Sequence, residues 1–599
     1  MEMSMDTRLS SHRPSSSFYL TVFGLWALSL WWFHPRMWSL MTLATDATST
    51  AALLLFISFT YVAWLYAFYN VAVVIFAPIY GRFFRQHDQR DAPLPRVRPS
   101  VALLYTTCND FDEKSVQSCL AQDYGDFTVY ILDDSSDEHL KREIDRFAQG
   151  HPQRIKVVRR PDRSGFKAGN INHGLAHAAT AEPLFALVDA DEILPTDFLS
   201  RLVPRLLAHD DVGFVQANHV GNPQDSSPLA RSLGVGIDIH WRWYHPLRNR
   251  FGFVMLLGHG ALLRREAWAK VGGFPHLVSE DLAFALRIRA HGWRGLFAED
   301  VVCLENFPPD MRAFRVRHMK WTRGTCEFLF RMAGELMRSP RIPLVEKIDV
   351  LFPTLALPLS MCFFAFVIDV NVILPMLFGR AIPLTFELGG TSHVVSVMAL
   401  GESFGAVGGY DFFAITLLAL LAPILCFLIS MAHMPLRLAA FISRSMVVYG
   451  ALGPLSCVGV VCFAITRQAV FHVTADRGTP RIGLAHGTLG SGLAAFEGLG
   501  GAVRRFFVRS HPDHPVVQGF EIVTGLLFIA MSLKMAQLSF LGLSLAYVMH
   551  PLMHHVPWSN VWLRPLVHVP ALLMLSGLGL GGLALMGIQP VLLNFGAHF

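Results

Sequence analysis

Long apolar runs on either side of a polar segment limit this chain's architecture more than any motif does. A helix rises about 1.5 Å per residue and a bilayer's hydrocarbon core is about 30 Å thick, so roughly 20 apolar residues cross it. Phe18 to Phe33 is short but rich in Trp and Leu, and Ala51 to Ile79 is long enough to span with tilt. No small-residue cleavage site follows the first run, which therefore reads as a retained anchor. Val350 to Phe378, Phe412 to Ala432, Val516 to Val556 and Leu566 to Gly587 add further spans, for roughly seven in all. Val516 to Val556 reads as one bent helix or as two. A chain that is 52% hydrophobic and 16% charged fits a membrane protein carrying a soluble part.

Charge orients it. Arg82, Arg85, Arg90, Arg96 and Arg98 follow the second run and place the next domain in the cytoplasm. Polar sequence then continues to about Arg341. A Gly-rich loop between Phe378 and Phe412 is expected outside. Met446 to Ile465 is basic at both ends, through Arg437, Arg444 and Arg467, which suits an in-plane interfacial helix. Arg477, Arg481, Arg504, Arg505 and Arg509 make the following linker cytoplasmic. The division is then N-terminal membrane helices at 1–80, a basic linker at 81–98 and a cytosolic domain at 99–335. Membrane and interfacial helices follow at 336–470, a loop and linker at 471–515, and C-terminal membrane helices at 516–599. The net charge of +5 is small and set beside the spans, so nucleic acid is excluded as a partner. The eight cysteines lack Cys-x-x-Cys spacing and read as free thiols.

Within the cytosolic segment, Val101 to Thr106, Phe127 to Leu132, Ile155 to Val158 and Leu184 to Val188 alternate with amphipathic helical patterns, predicting a mostly parallel α/β sheet. Ligands sit at the carboxyl ends of such strands. Two acidic pairs lie there, Asp133 with Asp134, and Asp189 with Asp191, and carboxylates two apart can converge on Mg²⁺ or Mn²⁺. An isolated Asp-x-Asp is equally a turn or a cap. Ser279, Glu280 and Asp281 open a helical pattern, where carboxylates act as caps or, suitably tuned, as a general base. Arg315, Arg317, His318, Lys320, Trp321 and Arg323 could hold a diphosphate and offer a sugar an aromatic face, or form a solvated juxtamembrane face. His550 and His554, with Pro551 between them and no acidic neighbour in sequence, suit a membrane interface better than a metal site.

In this order the four sites resemble the family 2 glycosyltransferases, in particular the processive membrane synthases typified by bacterial cellulose and hyaluronan synthases, over roughly residues 97 to 330. The resemblance implies a cytosolic α/β GT-A (nucleotide-diphospho-sugar transferase) domain inserted between transmembrane helices of a multi-pass membrane protein. Val101 to Asp110 resembles that family's first nucleotide-binding segment, which implies Thr106, Asn109 and Asp110 at the nucleotide, although Cys108 stands where Tyr is usual. Asp133 and Asp134 match uridine-contacting aspartates, and Lys167 opens the Lys-Ala-Gly segment. Asp189 and Asp191 match the metal and diphosphate motif. Ser279, Glu280, Asp281 resembles Thr-Glu-Asp, implying Asp281 as general base with Glu280 beside it. Trp321 matches the Trp of Gln-x-x-Arg-Trp, which stacks the acceptor sugar. Arg317 there replaces Gln, and Lys320 replaces Arg and loses its planar fork.

Phe471, Val473, Thr474 and Arg477 resemble the cellulose synthase gating loop, with Asp476 in its Lys position. Gly258 and His259 fall where the cellulose enzymes carry an acceptor segment of Phe-Phe-Cys-Gly type, and the Gly-His pair resembles β-glucan polymerases of curdlan type. His259 is equally a satisfied buried histidine. The resemblance thus implies a processive, inverting, divalent-cation-dependent synthase in the bacterial inner membrane. It would take UDP-glucose as donor and a growing polysaccharide as acceptor, and pass a β-glucan across the bilayer. No linkage, oligomer or periplasmic export partner is legible. The alternatives are a synthase using another UDP-sugar, a non-processive transferase acting on a lipid carrier, and a transporter with a degenerate sugar domain.

Overall fold

The computed structural model describes residues 14–88, 98–225, 227–388, 391–399, 404–405, 407, 409–469, 510–535, 537–556 and 563–585. The four apolar runs form strands within a residue of their expected ends: β1 (Val101–Thr107), β2 (Phe127–Asp133), β3 (Ile155–Val158) and β4 (Leu184–Asp189). The short β5 (Glu192–Ile193), β6 (Val212–Gly221), β7 (Ala261–Arg264) and β8 (Arg294–Glu305) complete one sheet in the order β3-β2-β1-β4-β7-β6-β8-β5.

The half made of β3, β2, β1 and β4 is parallel as expected. The other half is mixed, because β7 runs antiparallel between β4 and β6. Both faces of the sheet are covered. Along β1, Ala102 and Leu104 join one apolar cluster while Val101, Leu103 and Tyr105 join the other, the alternation a pleated strand imposes.

Among the described residues, six helical stretches are long and apolar enough to cross a membrane: Ala47–Phe83, Leu344–Phe378, Tyr410–Ser430, Pro435–Thr466, Pro515–Lys534 and Leu563–Leu580. This is the architecture of a multi-pass membrane protein. The N-terminal run forms a helix, Ser17–Ser39, that is not among the six. Val516 to Val556 is two helices, Pro515–Lys534 and the shorter Leu538–Leu552.

Two expectations are corrected. The stretch between Phe378 and Phe412 contains two antiparallel strands, Arg380–Leu388 paired with Thr391–Ala399, where a loop was expected. The single helix expected over Met446 to Ile465 is a broken pair, Pro435–Val448 and Gly453–Thr466, interrupted at Gly450–Leu452 before Pro454. Its first half packs on the C-terminal helices and its second on Met311–Arg338 and Leu344–Ile368.

The histidines near the C-terminus also have acidic partners that their sequence neighbourhood does not supply. His550 Nδ1 is 3.6 Å from Glu521, and His554 Nε2 is 3.0 Å from Asp513. All eight cysteines are free thiols.

Candidate active site

Pairing of β1 with β4 sets Thr106 opposite Asp189, and pairing of β1 with β2 sets Thr107 opposite Asp133, so the acidic pairs share one sheet edge. The Thr106 hydroxyl donates to Asp189 Oδ1 at 2.8 Å, and Lys167 Nζ lies 2.5 Å from the same oxygen. Lys167 sits in the first turn of the helix Phe166–His177, which starts from two left-handed residues, Gly165 and Phe166. Its ammonium also donates to the carbonyl of Gly258 at 3.0 Å. Burial alone would lower the Lys167 pKa, but Asp189, Glu280 and Asp281 outweigh it and raise the group above its usual range.

The base candidate lies across the same turn. Gly258 has φ 84°, and a Cβ there would stand 3.2 Å from Asp281 Oδ2 and 3.5 Å from Lys167 Nζ, so the turn, the lysine and the aspartate are in contact distance. Asp281 and Glu280 open the helix Glu280–Ala290. Burial raises the carboxyls of both, and with Asp281 beside it Glu280 is pushed up to about 8. Burial depresses the Lys320 amine against the pull of Glu280 and Asp189, which places Lys320 in the same electrostatic field.

Trp321, one position on along the helix Met311–Arg338, is 46% exposed although much of that helix is buried. Its ring is covered by Arg317, whose guanidinium carbon is 4.7 Å from the Trp321 centroid and 5.3 Å from that of Phe307. Arg317 thus braces the indole as a cation–π partner, with Glu305 4.0 Å away.

Four residues expected at the nucleotide are engaged within the protein. Asp133 is buried and binds Arg159 Nε at 2.7 Å, and Asp134 accepts both Arg160 Nε at 2.9 Å and Arg160 Nη2 at 2.6 Å. Asp110 accepts from the Thr107 hydroxyl and the Cys108 amide at 2.9 and 2.6 Å. Asn109, left-handed with φ 65°, staples its loop to the β2 loop by accepting the Ser136 and Asp137 amides at 2.8 and 3.0 Å. These residues build the rim. Sequence reading missed Arg159 and Arg160, although a basic pair directly after β3 was the available signal.

His259 places Nδ1 3.4 Å from buried Glu192, within ion-pair distance. Burial alone would lower its pKa, but the Glu192 carboxylate raises it to about 10. The loop residues Phe471, Val473, Thr474 and Arg477 lie outside the described residues.

Asp189 and Asp191 offer all-oxygen ligation of the kind a hard divalent cation takes. Desolvation in the cleft, Glu305 and Asp189 push the Asp191 carboxyl up to about 7, a sign of negative charge that a cation would neutralise. The residues fit Mg²⁺ or Mn²⁺. A protonated Asp191 cannot ligate, so cation affinity should fall by roughly tenfold per unit as the pH drops below about 7. Calorimetric Mn²⁺ titration at pH 8 and pH 6 checks this, and equal affinities would contradict it.

Residues 111–324 match a family model described as "Glycosyltransferase like family 2". Glucomannan 4-beta-mannosyltransferase 1 of Cyamopsis tetragonoloba is 27% identical over 232 residues, 38% of this chain and 44% of its own length. Probable glucomannan 4-beta-mannosyltransferase 11 of Arabidopsis thaliana is 28% identical over 231 residues, 37% of this chain and 52% of its own. The chain thus spans about half the length of the curated relatives it matches. Among solved structures, mannosyltransferase PcManGT from Pyrobaculum calidifontis, in complex with GDP-Man and Mn²⁺, is similar with a TM-score of 0.38 and 23% identity, over 52% of this chain and 86% of that one.

Proposed function

We propose that this chain, whose residues 111–324 form a family 2 glycosyltransferase domain of GT-A type, is a processive, inverting synthase of a β-linked hexose polymer, which it passes across its own membrane helices. The observation that carries the reading is the convergence of Asp281, Lys167 and Asp189 on the Gly258 turn.

In this mechanism the Asp281 carboxylate takes the proton of an acceptor hydroxyl. The freed oxygen attacks C1 of the donor sugar from the face opposite the diphosphate, the C1–O bond to phosphate breaks, and a nucleoside diphosphate leaves with the bond's electron pair. Asp189 and Asp191 would hold a divalent cation, which would supply charge neutralisation at the diphosphate. Lys167 and Lys320 add positive charge on the same side, and the Trp321 face holds the terminal sugar of the acceptor. The membrane would be a bacterial inner membrane with the domain in the cytoplasm.

UDP-glucose follows from the motif resemblance. The names of the curated relatives favour a mannosyl donor instead, which makes a β-mannan-type polymer the second reading.

The test incubates the purified full-length protein with Mg²⁺ or Mn²⁺ and radiolabelled UDP-glucose, GDP-mannose or other UDP-sugars. Products are then sized and digested with linkage-specific hydrolases. A long polymer from UDP-glucose supports the glucan reading and one from GDP-mannose the mannan reading. A single sugar added to a lipid would end the processive reading.

A further inference from the structure

The acid directly after the Asp189–Ala190–Asp191 motif reaches His219 and the Gly260 amide. Glu192 forms the two-residue strand β5, paired to Glu305 and Leu304 of β8, and its side chain is completely buried. Burying a carboxylate costs heavily unless donors surround it, and here they do. Oε2 faces the backbone N–H of Gly260 at 3.1 Å and that of Asp189 at 3.4 Å. Oε1 lies 2.8 Å from His219 Nε2 and 3.4 Å from His259 Nδ1.

The Gly258–Gly260 turn is shaped around this carboxylate. Gly260 has φ 57°, and a Cβ there would fall 2.5 Å from Glu192 Oε1 and 2.2 Å from His219 Nε2, so a side chain is excluded on both conformational and steric grounds. At the other end of the turn, Gly258 lies against Asp281 and its carbonyl accepts from Lys167. Lys167 returns to Asp189 at 2.5 Å. The contacts close a ring that runs from the Asp189 amide through Glu192, the turn and Lys167 to the Asp189 carboxylate.

We infer that Glu192 is a positioning residue that fixes the spacing between the cation-binding carboxylates, Asp189 and Asp191, and the acceptor base, Asp281. It acts through the Gly258–Gly260 turn and need not touch substrate. This rests on the reaction assigned above. Groups that orient metal ligands are worth about 10–100-fold in metal affinity or activity, which sets the size of the expected effect.

The experiment compares full-length wild type with Glu192→Gln in lipid nanodiscs. The amide keeps the shape but sets an N–H donor against donors. Expected are a fall in kcat of about 10–100-fold, a higher Mn²⁺ requirement, and a larger share of donor lost to water as free sugar, with little change in nucleoside diphosphate binding. Gly260→Ala, which displaces the same carboxylate from the opposite side, should reproduce this pattern. His219→Asn gives a milder version and serves if Glu192→Gln does not fold.

A folded Glu192→Gln with wild-type kcat, cation requirement and hydrolysis share would overturn the inference. So would a tightly held metal ion, lost in Cys303→Ser, since Glu192, His219 and Cys303 are close enough to share one. Absence of sugar transfer by wild type from any donor would instead overturn the reaction, so the two failures are distinct.

Discussion

Asp281→Asn should lower sugar transfer by about 10²–10⁴-fold while nucleoside diphosphate binding stays near wild type. The variant suits the test because Asp281 Oδ1 accepts the Leu282 amide at 2.7 Å, and an asparagine oxygen can keep that bond and hold the helix start. What is lost is proton affinity at the other oxygen, on the side facing the Gly258 turn. Burial already raises this carboxyl, and Lys167 and His259 nearby keep the rise in check. The group is thus a better proton acceptor than an exposed aspartate. Initial rates with labelled donor, set beside calorimetric binding of the diphosphate, separate the two effects. Transfer at the wild-type rate would remove Asp281 from the chemistry.

The scaffold of this site is legible in the sequence because it rests on local pattern. Short apolar runs marked β1, β2 and β4 to within a residue, the last two ending in acids, and the pairing of β1 with β4 carries Thr106 to Asp189. Arg317 and Trp321, four apart on one helix, meet as that spacing allows.

Partnerships across long sequence separations were not legible. Asp133 and Asp134 read as nucleotide residues from the motif resemblance, and nothing near them in the chain announces their partners. Arg159 and Arg160, each 26 positions on, reach them once β3 pairs with β2. Glu192 was not singled out, since His219 and the Gly260 amide reach it only in the folded sheet. His550 showed no acid nearby for the same reason. The broken helix at Gly450–Leu452 had a visible cause in Gly453 and Pro454, but net apolarity masked it. Binary pattern specifies which faces are buried, and tertiary packing decides which buried charges meet.

The largest loss of stability should come from Glu521→Gln. Arg315 belongs to the helix that carries Trp321, and its Nη1 and Nη2 donate to the two Glu521 oxygens at 2.9 and 2.5 Å across 206 residues of sequence. Nη1 also lies 2.8 Å from His550 Nδ1, and side-chain exposure is 0% for Arg315, 1% for Glu521 and 0% for His550. The triad joins the Met311–Arg338 helix to the helices Pro515–Lys534 and Leu538–Leu552. Removing one charge leaves the other buried and unpaired, which costs about 3–5 kcal/mol, whereas replacing both by apolar residues is often neutral or stabilising. Glu521→Gln should therefore unfold at a markedly lower temperature in nanodiscs, and Arg315→Met with Glu521→Leu should recover most of that loss. The double variant also separates packing from position. If its fold returns but polymer synthesis does not, the bidentate geometry itself holds the Trp321 helix in register with the membrane helices. Equal destabilisation by the single and double changes would mean that shape, not charge pairing, makes the joint.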